Sequence, residues 1–254
     1  MIEIHAATVV ALLVAALAAG WIDAVAGGGG LIQLPALLLV FPHAQTLTAM
    51  GTNKTSSIIG TSIAVRTYAS AHRPDWRLAG RIMATAFVCS GLGSFTATRV
   101  STDFLRPAIV IVLAGVWVST IVRKPLDREV FETARHGSAL AIAAVVGFYD
   151  GLIGPGTGSF LLIGFVAIVG MSFLGASVAA KLANLATNLA SIIVFAATGH
   201  ILWWLGILMG VANAVGGRLG ARTAIARGSG FVRLVFLGST GALLIRLAYS
   251  LVHG

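Results

Sequence analysis

The chain has 254 residues, of which 57% are hydrophobic and 10% are charged, and its formal net charge is +9. Its mean hydropathy is +0.96. A water-soluble domain of this length would expose more apolar surface than it can bury, whereas a lipid bilayer accepts such a surface. The 17 Lys and Arg residues lie mostly between apolar runs or at their ends, where they orient a membrane protein. The composition therefore predicts a membrane protein and argues against nucleic-acid binding.

Apolar runs separated by helix-breaking residues predict ten hydrophobic segments and an all-α fold. The first five are roughly 6–26, 31–42, 46–70, 78–99 and 104–122, and the second five are 137–153, 158–172, 174–197, 203–225 and 231–252. The second segment of each set is short. At about 1.5 Å per residue, twelve residues cover about 18 Å of a hydrocarbon core about 30 Å thick. We therefore expect 31–42 and 158–172 to form either re-entrant hairpins or parts of bent spans.

The two halves of the chain repeat one another at a shift of 127 residues, which is half of the length. Asp23 and the four glycines at 27–30 recur as Asp150 and the run Gly-Pro-Gly at 154–156, and Lys54 recurs as Lys181. This repetition predicts a duplicated membrane module, with a first repeat at 1–122, a linker at 123–136 and a second repeat at 137–254. Broken helices at corresponding positions of two halves are typical of the binding site of a transporter.

The distribution of Lys and Arg predicts how the two halves are oriented. The connection near 66–81 is basic, but its counterpart near 199–202 has no Lys or Arg, and the lean turn at 99–106 has a counterpart rich in Arg. The basic side is thus exchanged between the halves, as expected for inverted repeats that each cross the membrane an odd number of times. We expect the basic linker 123–136 in the cytoplasm, both termini outside, and the protein in the cell inner membrane.

One lysine lies within an otherwise uncharged segment of each half. Lys54 is eight residues into its segment, or about 12 Å deep, which is close to the membrane midplane. An ammonium group there costs roughly 3 kcal/mol or more, so it is a functional candidate. Helical spacing places Ser57 and Thr61 on the face of Lys54, and Asn184 and Asn188 on the face of Lys181. These two polar stripes are suited to an anion pathway. The alternative is that each lysine extends to the interface or pairs with an aspartate.

Asp23 and Asp150 are the only acidic residues in 6–26 and in 137–172. Three roles are open to them: a proton carrier, a salt-bridge partner for an intramembrane lysine, or a cap for the backbone N–H groups freed at the glycine break. We favour the two structural roles, because Asp is a common cap and a helix must restart beside the glycines.

The glycine clusters predict irregular backbone inside the membrane, at 27–30 and at 154–158. Such backbone is tolerated only where protein or a watery cavity satisfies its polar groups. A helix that restarts there directs its positive N-terminal end and free N–H groups inward, which suits an anion. Simple close packing of helices is the alternative role of these glycines.

Other chemistry is sparse. The six histidines lie near segment ends without metal-ligand spacing, and Cys89 has no second cysteine, so we expect no metal, no cofactor and no intrachain disulfide. The first residues lack a basic region, so we do not expect a removable signal peptide.

With these motifs in hand, the chain resembles the sulfite exporter TauE/SafE family of bacterial membrane transporters over nearly its full length. The motifs that carry the resemblance are Gly20-x-x-Asp23-Ala24-x-x-Gly27-Gly28-Gly29-Gly30 with Pro35, Gly51-Thr52-Asn53-Lys54, Lys181-x-x-Asn184-x-x-Thr187-Asn188, and Gly216-Gly217-Arg218-Leu219-Gly220-Ala221-Arg222. The resemblance implies transport of sulfur-containing anions such as sulfite, sulfoacetate or other organosulfonates. The chain departs from a repeated glycine run at 154–157, so its two half-sites cannot be chemically identical.

The sequence thus predicts a secondary transporter, not an enzyme, that exports a small anion by alternating access near Lys54 and Lys181. The candidate substrate-binding residues are Lys54, Asn53, Ser57, Thr61, Lys181, Asn184, Asn188, Gly28, Gly29, Gly30, Gly156 and Thr157, and the candidate proton or salt-bridge residues are Asp23 and Asp150. Two alternatives stay open: an anion channel, and an intramembrane aspartyl protease that uses Asp23 and Asp150. The expected partners are the anion and the lipid bilayer, with no nucleic acid and with a homodimer left open.

Overall fold

The computed structural model describes residues 5–41, 45–101 and 136–253, and beyond residue 227 it describes the backbone together with the side chain of Phe231. The described residues form helices and no strands. These helices are α1 (Ala6–Ala26), α2 (Gly30–Val40), α3 (Thr46–Ala71), α4 (Trp76–Ala97), α5 (His136–Leu152), α6 (Thr157–Gly164), a π-helical segment (Phe165–Val169), α7 (Phe173–Ala197) and α8 (Trp203–His253). The predicted all-α class is confirmed.

Most of the predicted segments begin and end within two residues of the bounds of an observed helix. The predicted break between 203–225 and 231–252 is wrong, because α8 runs without interruption for 51 residues, or about 76 Å. The run at 227–230 has two glycines and a serine but no proline. Glycine costs about 1 kcal/mol relative to alanine in a helix, yet it keeps the N–H group that continues the hydrogen bonding. The predicted segment 104–122 and the linker 123–135 lie outside the described residues.

The exterior of the helices is apolar, as a bilayer requires. Three of the described helices are long and apolar enough to cross a membrane: α1, α4 and α7. The shorter apolar helices are α2, α5 and α6 with its π-helical continuation. Large apolar side chains are exposed along several of these helices, among them Val10, Val14, Val88, Leu92, Val145 and Val211. These exposed side chains fit contact with lipid chains.

The helices pack in two groups, and each group contains helices from both halves of the sequence. One hydrophobic core lies mainly among α1, α2, α3 and α8, and the other among α4, α5, α6 and α7. At the 127-residue shift α1 corresponds to α5, and α4 to the first part of α8. The helix α1 packs on α8 as α5 packs on α4, and α3 packs on α8 as α7 packs on α4. The two halves are therefore interlocked.

Two close contacts between helices are also related by the 127-residue shift. Gly20 lies against the backbone of Asn213, and Gly147 lies against the backbone of Ala86. Gly147 is 127 residues after Gly20, and Asn213 is 127 residues after Ala86. Neither glycine has room for a Cβ atom. Small residues let membrane helices approach closely, so these positions require glycine for packing.

Candidate functional site

Each half contains a helix that is interrupted at its glycine cluster. Helix α1 ends at Ala26, Gly27 has φ +77°, and α2 begins at Gly30. In the second half α5 ends at Leu152, Gly154 and Gly156 have φ +97° and +83°, and α6 begins at Thr157. Glycine adopts positive φ without the steric cost that other residues meet. The predicted irregular backbone is therefore present in both halves.

The two breaks touch one another. The backbone N–H of Ser159 donates to the carbonyl of Gly27 at 3.1 Å, and the Ser159 hydroxyl donates to the carbonyl of Ala26 at 2.6 Å. A Cβ atom on Gly27 would collide with the backbone of Gly158. The second half thus satisfies carbonyl groups that the interruption of α1 leaves without helical partners.

Two buried ion pairs flank the contact, and each joins one half of the chain to the other. Lys54 Nζ on α3 lies 2.6 Å from Asp150 Oδ2 on α5, and Lys181 Nζ on α7 lies 2.7 Å from Asp23 Oδ2 on α1. The two pairs are related by the 127-residue shift, because Lys54 corresponds to Lys181 and Asp23 corresponds to Asp150. The salt-bridge role of the aspartates, one of the alternatives left open by the sequence, is the role that the structure shows. The expected capping role is not seen, because Gly29 and Gly156 occupy the N-cap positions of α2 and α6.

The two aspartates are held differently. The Thr157 hydroxyl lies 2.5 Å from Asp150 Oδ1 and 2.7 Å from the carbonyl oxygen of Gly154, so its one proton is shared between two acceptors, and the Asp150 side chain is 2% exposed. Asp23 has Gly30 at the position equivalent to Thr157, and its side chain is 15% exposed. Lys181 donates to the backbone carbonyl of Asp23 as well as to its carboxylate. The first pair is therefore enclosed, whereas the carboxylate of the second reaches the open space beside it.

That space is a small polar cavity of about 20 Å³ between the breaks. Ten of the predicted site residues line it: Asp23, Gly30, Asn53, Lys54, Ser57, Asp150, Gly156, Thr157, Asn184 and Asn188. The sequence analysis missed three further lining residues, which are Gly27, Gly154 and Gly158. Their position inside the recognised glycine clusters is the signal that would have identified them.

Four predicted residues do not line the cavity: Thr61, Lys181, Gly28 and Gly29. Thr61 is buried but lies two helical turns, or about 10 Å, from Lys54 along α3. Gly29 packs closely against Asp23 and the carbonyl of Ala19 on α1. The ammonium group of Lys181 is held by Asp23, and Asp23 is the member of that pair that lines the cavity.

Two amide groups beside the cavity have atoms without hydrogen-bond partners. Asn188 Nδ2 and Asn53 Oδ1 are buried and unpaired, and both residues line the cavity. Buried polar atoms are nearly always paired, and an unpaired one costs about 1–3 kcal/mol. A polar ligand in the cavity would remove this cost.

A buried pair of amide side chains, Gln33 and Asn213, is hydrogen-bonded to the backbone of Asn53. The sequence analysis did not identify this pair. Asn213 on α8 donates to Gln33 Oε1 at 2.7 Å, and Gln33 Nε2 donates to the carbonyl of Asn53 at 3.5 Å. Gln33 is the only polar side chain in the apolar segment 31–42, and this isolation is the signal that would have pointed to it.

A polar cavity between two broken helices, in an apolar all-helical protein, is typical of membrane transporters. The chain matches the model of the family described as sulfite exporter TauE/SafE over residues 12–247. The chain therefore belongs to the sulfite exporter TauE/SafE family, which confirms the resemblance seen in the sequence, and it is a membrane transporter.

Curated relatives agree with this assignment. The chain is 35% identical over 248 residues to the probable membrane transporter protein ORF9 of Sinorhizobium sp, and the matched region covers 95% of this chain and 93% of the relative. It is 30% identical over 249 residues to the probable membrane transporter protein YfcA of Escherichia coli K12, with 96% and 90% covered. A probable membrane transporter protein of Haemophilus influenzae is 29% identical over 236 residues, with 91% of each chain covered. No solved structure matches the chain.

Proposed function

We propose that this transporter exports small sulfur-containing anions, such as sulfite, sulfoacetate or another organosulfonate, by alternating access. The anion binds in the cavity where the two broken helices meet, near Lys54 and Lys181. The observation that carries the proposal is this meeting of one break from each half at one polar cavity. The description of the family as sulfite exporters supports the choice of anion.

The cavity offers groups that suit an anion. Helices α2 and α6 begin beside it, at Gly30 and Thr157, and the N-terminal end of a helix carries a partial positive charge and free N–H groups. The side chain of Asn188 adds an amide donor without a partner. An oxyanion presents several acceptor oxygens, so it matches several donors that converge from different helices.

The size of the cavity supports a carrier rather than an open pore. A volume of about 20 Å³ has room for about one water molecule, and a sulfite-sized anion needs more. The helices around the breaks must therefore separate to admit the anion.

The two aspartates are poorly suited to an aspartyl protease. That chemistry requires two carboxylates that share a proton and activate a water molecule. Here each carboxylate faces the ammonium group of a different lysine, Lys54 for Asp150 and Lys181 for Asp23.

The membrane potential favours export. Moving one charge through 100 mV is worth roughly 2.3 kcal/mol, so an inside-negative potential drives a dianion outward with about twice that energy.

We further propose that the repeats are inverted in the inner membrane, with both termini external. The exchange of basic connections between the halves and the paired contacts at the 127-residue shift support this topology. Cysteine labelling in a Cys89→Ala background tests it. A cysteine at position 128 should react only from the cytoplasm and one at position 200 only from outside; labelling of the first from outside would contradict the topology.

Flux through proteoliposomes tests the transport proposal. Purified protein should exchange labelled sulfite, sulfoacetate or an alkanesulfonate for the same unlabelled anion, and an excess of unlabelled anion on the far side should accelerate entry. Acceleration of this kind requires a site that alternates between the two sides. Single-channel currents in place of such acceleration would identify a channel, and no flux of any sulfur anion would contradict the proposed substrates.

A further inference from the structure

We propose that Asp23 binds the proton that accompanies the anion, whereas Asp150 stays ionised as the fixed counter-ion of Lys54. This inference rests on the proposed function and assigns the coupling ion and its residue. It starts from the charges around the cavity. Two ammonium groups and two carboxylates form two ion pairs there, so the resting site carries no net charge.

An anion that enters this neutral site makes it negative. A net charge near the membrane midplane costs roughly 3 kcal/mol or more. One proton taken up by a carboxylate cancels that charge, and it also frees the paired lysine to attract the anion. The site loaded with a monovalent anion and one proton then has the same net charge as the empty site. Both forms can cross between the two orientations at similar cost.

The surroundings of the two carboxylates select Asp23 for this role. Both carboxylates line the cavity, but the side chain of Asp23 is 15% exposed, whereas that of Asp150 is 2% exposed. The Thr157 hydroxyl lies within hydrogen-bond distance of Asp150 and of the Gly154 carbonyl, whereas Asp23 has glycine at the equivalent position. A proton from the cavity therefore reaches Asp23 more readily, and Asp23 has fewer bonds to give up.

Lys181 is arranged to remain in place when its partner is neutralised. Its ammonium group donates to the backbone carbonyl of Asp23 in addition to the carboxylate. The carbonyl does not titrate, so it continues to hold Lys181 after the carboxylate has taken a proton. Asp23 lines the cavity and Lys181 does not; neutralising Asp23 therefore removes the negative charge between Lys181 and an anion.

Among the described residues, the charged and titratable groups around Asp23 are few. Lys181 approaches from α7, Lys54 from α3 and Asp150 from α5. Tyr68 on α3 also lies near, but its hydroxyl donates to the carbonyl of Ala24 at 2.7 Å. Of the two acids, Asp23 has the more exposed side chain, and the hydrogen bond described to its carboxylate comes from Lys181 and not from a hydroxyl.

This coupling makes the direction of transport depend on the charge of the anion. A dianion that moves with one proton carries one net negative charge, which a potential of 100 mV drives outward with roughly 2.3 kcal/mol. A pH gradient of one unit, acidic outside, opposes this with about 1.4 kcal/mol for the proton. Export of a dianion therefore stays favourable, whereas a monovalent sulfonate moves without net charge and is exported only when its own concentration gradient exceeds the opposing pH gradient.

The test uses two fluxes in proteoliposomes that contain the full-length protein. Exchange of a labelled sulfonate between equal concentrations, without a pH gradient, reports transport itself. Accumulation of that sulfonate under an imposed pH gradient, with the membrane potential clamped at zero by potassium and valinomycin, reports coupling. One proton per anion predicts accumulation by about tenfold for each pH unit.

Asp23→Asn and Asp150→Asn form a matched pair of variants. Whatever exchange Asp23→Asn retains should no longer be accompanied by accumulation under the pH gradient, because an asparagine cannot take up and release the proton. Asp150→Asn should lower exchange because it leaves Lys54 without its counter-ion, and the flux that remains should still follow the pH gradient. Coupling kept in Asp23→Asn, or lost in Asp150→Asn with exchange intact, would overturn the assignment.

A binding measurement covers the case in which a variant fails to transport. Anion added to purified wild-type protein in weak buffer with a pH dye should raise the pH as about one proton is taken up per anion bound. Wild-type protein that exchanges the anion without proton uptake or accumulation would overturn this inference and leave the proposed function standing. Wild-type protein that exchanges no sulfur anion would overturn the proposed function itself.

Discussion

The two glycine breaks have the same spacing in the sequence but hold their aspartates to different degrees. In the second break the Thr157 hydroxyl donates to Asp150, and the ion pair with Lys54 is enclosed. In the first break Gly30 stands in place of the threonine, and Asp23 reaches the cavity. The two breaks thus differ in the side chain at the start of the short helix and in the exposure of the aspartate, which is 2% for Asp150 and 15% for Asp23.

This difference shows that the two halves of a duplicated site can have different roles. If the two ion pairs were identical, an entering anion would be equally able to release either lysine. Here the pair with Thr157 has an extra bond to lose, and the pair with Gly30 has an extra backbone bond from Lys181 that survives neutralisation. We expect the ion pair of Asp150 and Lys54 to stabilise the fold, and the ion pair of Asp23 and Lys181 to open when Asp23 takes up a proton.

Removal of each lysine gives the largest expected contrast. Lys54→Met leaves Asp150 buried without its counter-ion, and breaking a buried pair in this way costs about 3–5 kcal/mol. Lys181→Met should cost less, because Asp23 is 15% exposed and water can solvate it. Unfolding of the purified variants in detergent measures both losses.

A double variant is the control for this contrast. Lys54→Met combined with Asp150→Leu removes both charges and should recover most of the lost stability, because replacing a whole buried pair by apolar residues is often nearly neutral. Equal destabilisation by Lys54→Met and Lys181→Met would contradict the difference between the two pairs.

Gly27→Ala tests the contact between the breaks. The new Cβ atom would collide with the backbone of Gly158 and would stand at φ +77°, which together cost about 3 kcal/mol. Transport should be lost. Gly91→Ala is the matched control, because no atom lies within 4 Å of its Cβ position in α4, and alanine favours a helix by about 1 kcal/mol. Wild-type flux in Gly27→Ala would show that the contact is dispensable.

The sequence predicted the elements well where one periodic pattern determined them. The first predicted segment, 6–26, coincides with α1, because its apolar run ends at a glycine cluster that a helix cannot easily continue. The break predicted near 226–230 was wrong, because glycine and serine weaken a helix without removing a hydrogen bond. The repeat predicted which helices correspond, and α1 packs on α8 as α5 packs on α4.

The site was predicted in its residues but not in its pairing. Burial cost and helical spacing identified Lys54, Lys181 and the two aspartates, because an isolated charge in an apolar segment is visible in the sequence. Which lysine meets which aspartate depends on how the halves interlock, and a local pattern carries no information on that. The greater exposure of Asp23 relative to Asp150 appears only when both side chains are placed.

Removing the hydroxyl at position 157, or adding one at the equivalent position 30, should make the two breaks more alike. Thr157→Val removes the hydroxyl with little change in shape and should lower stability by about 2 kcal/mol, because the hydrogen bond is made to a charged group. Gly30→Ser should instead add a hydroxyl beside Asp23, where the nearest atom to a Cβ is Pro155 Cα at 3.5 Å. We expect Gly30→Ser to hold Asp23 ionised and to weaken anion binding by roughly fivefold, since a hydrogen bond contributes about 1 kcal/mol. Anion titration checks this, and tighter binding in Gly30→Ser would contradict the role of position 30.

Asn188→Ala should have the smallest effect on the fold and a clear one on the ligand. Its Nδ2 atom has no partner in the described structure, so the loss of the amide should change the stability little. An anion in the cavity would accept from this amide, and its absence should weaken binding by about tenfold, because a hydrogen bond to a charged group is worth at least about 1.5 kcal/mol. Asn184→Ala is the comparison on the same helix face, because Asn184 also lines the cavity but none of its buried side-chain atoms lacks a partner. Thermal unfolding and anion titration of both variants separate the two roles; an unchanged affinity in Asn188→Ala would remove this amide from the anion site.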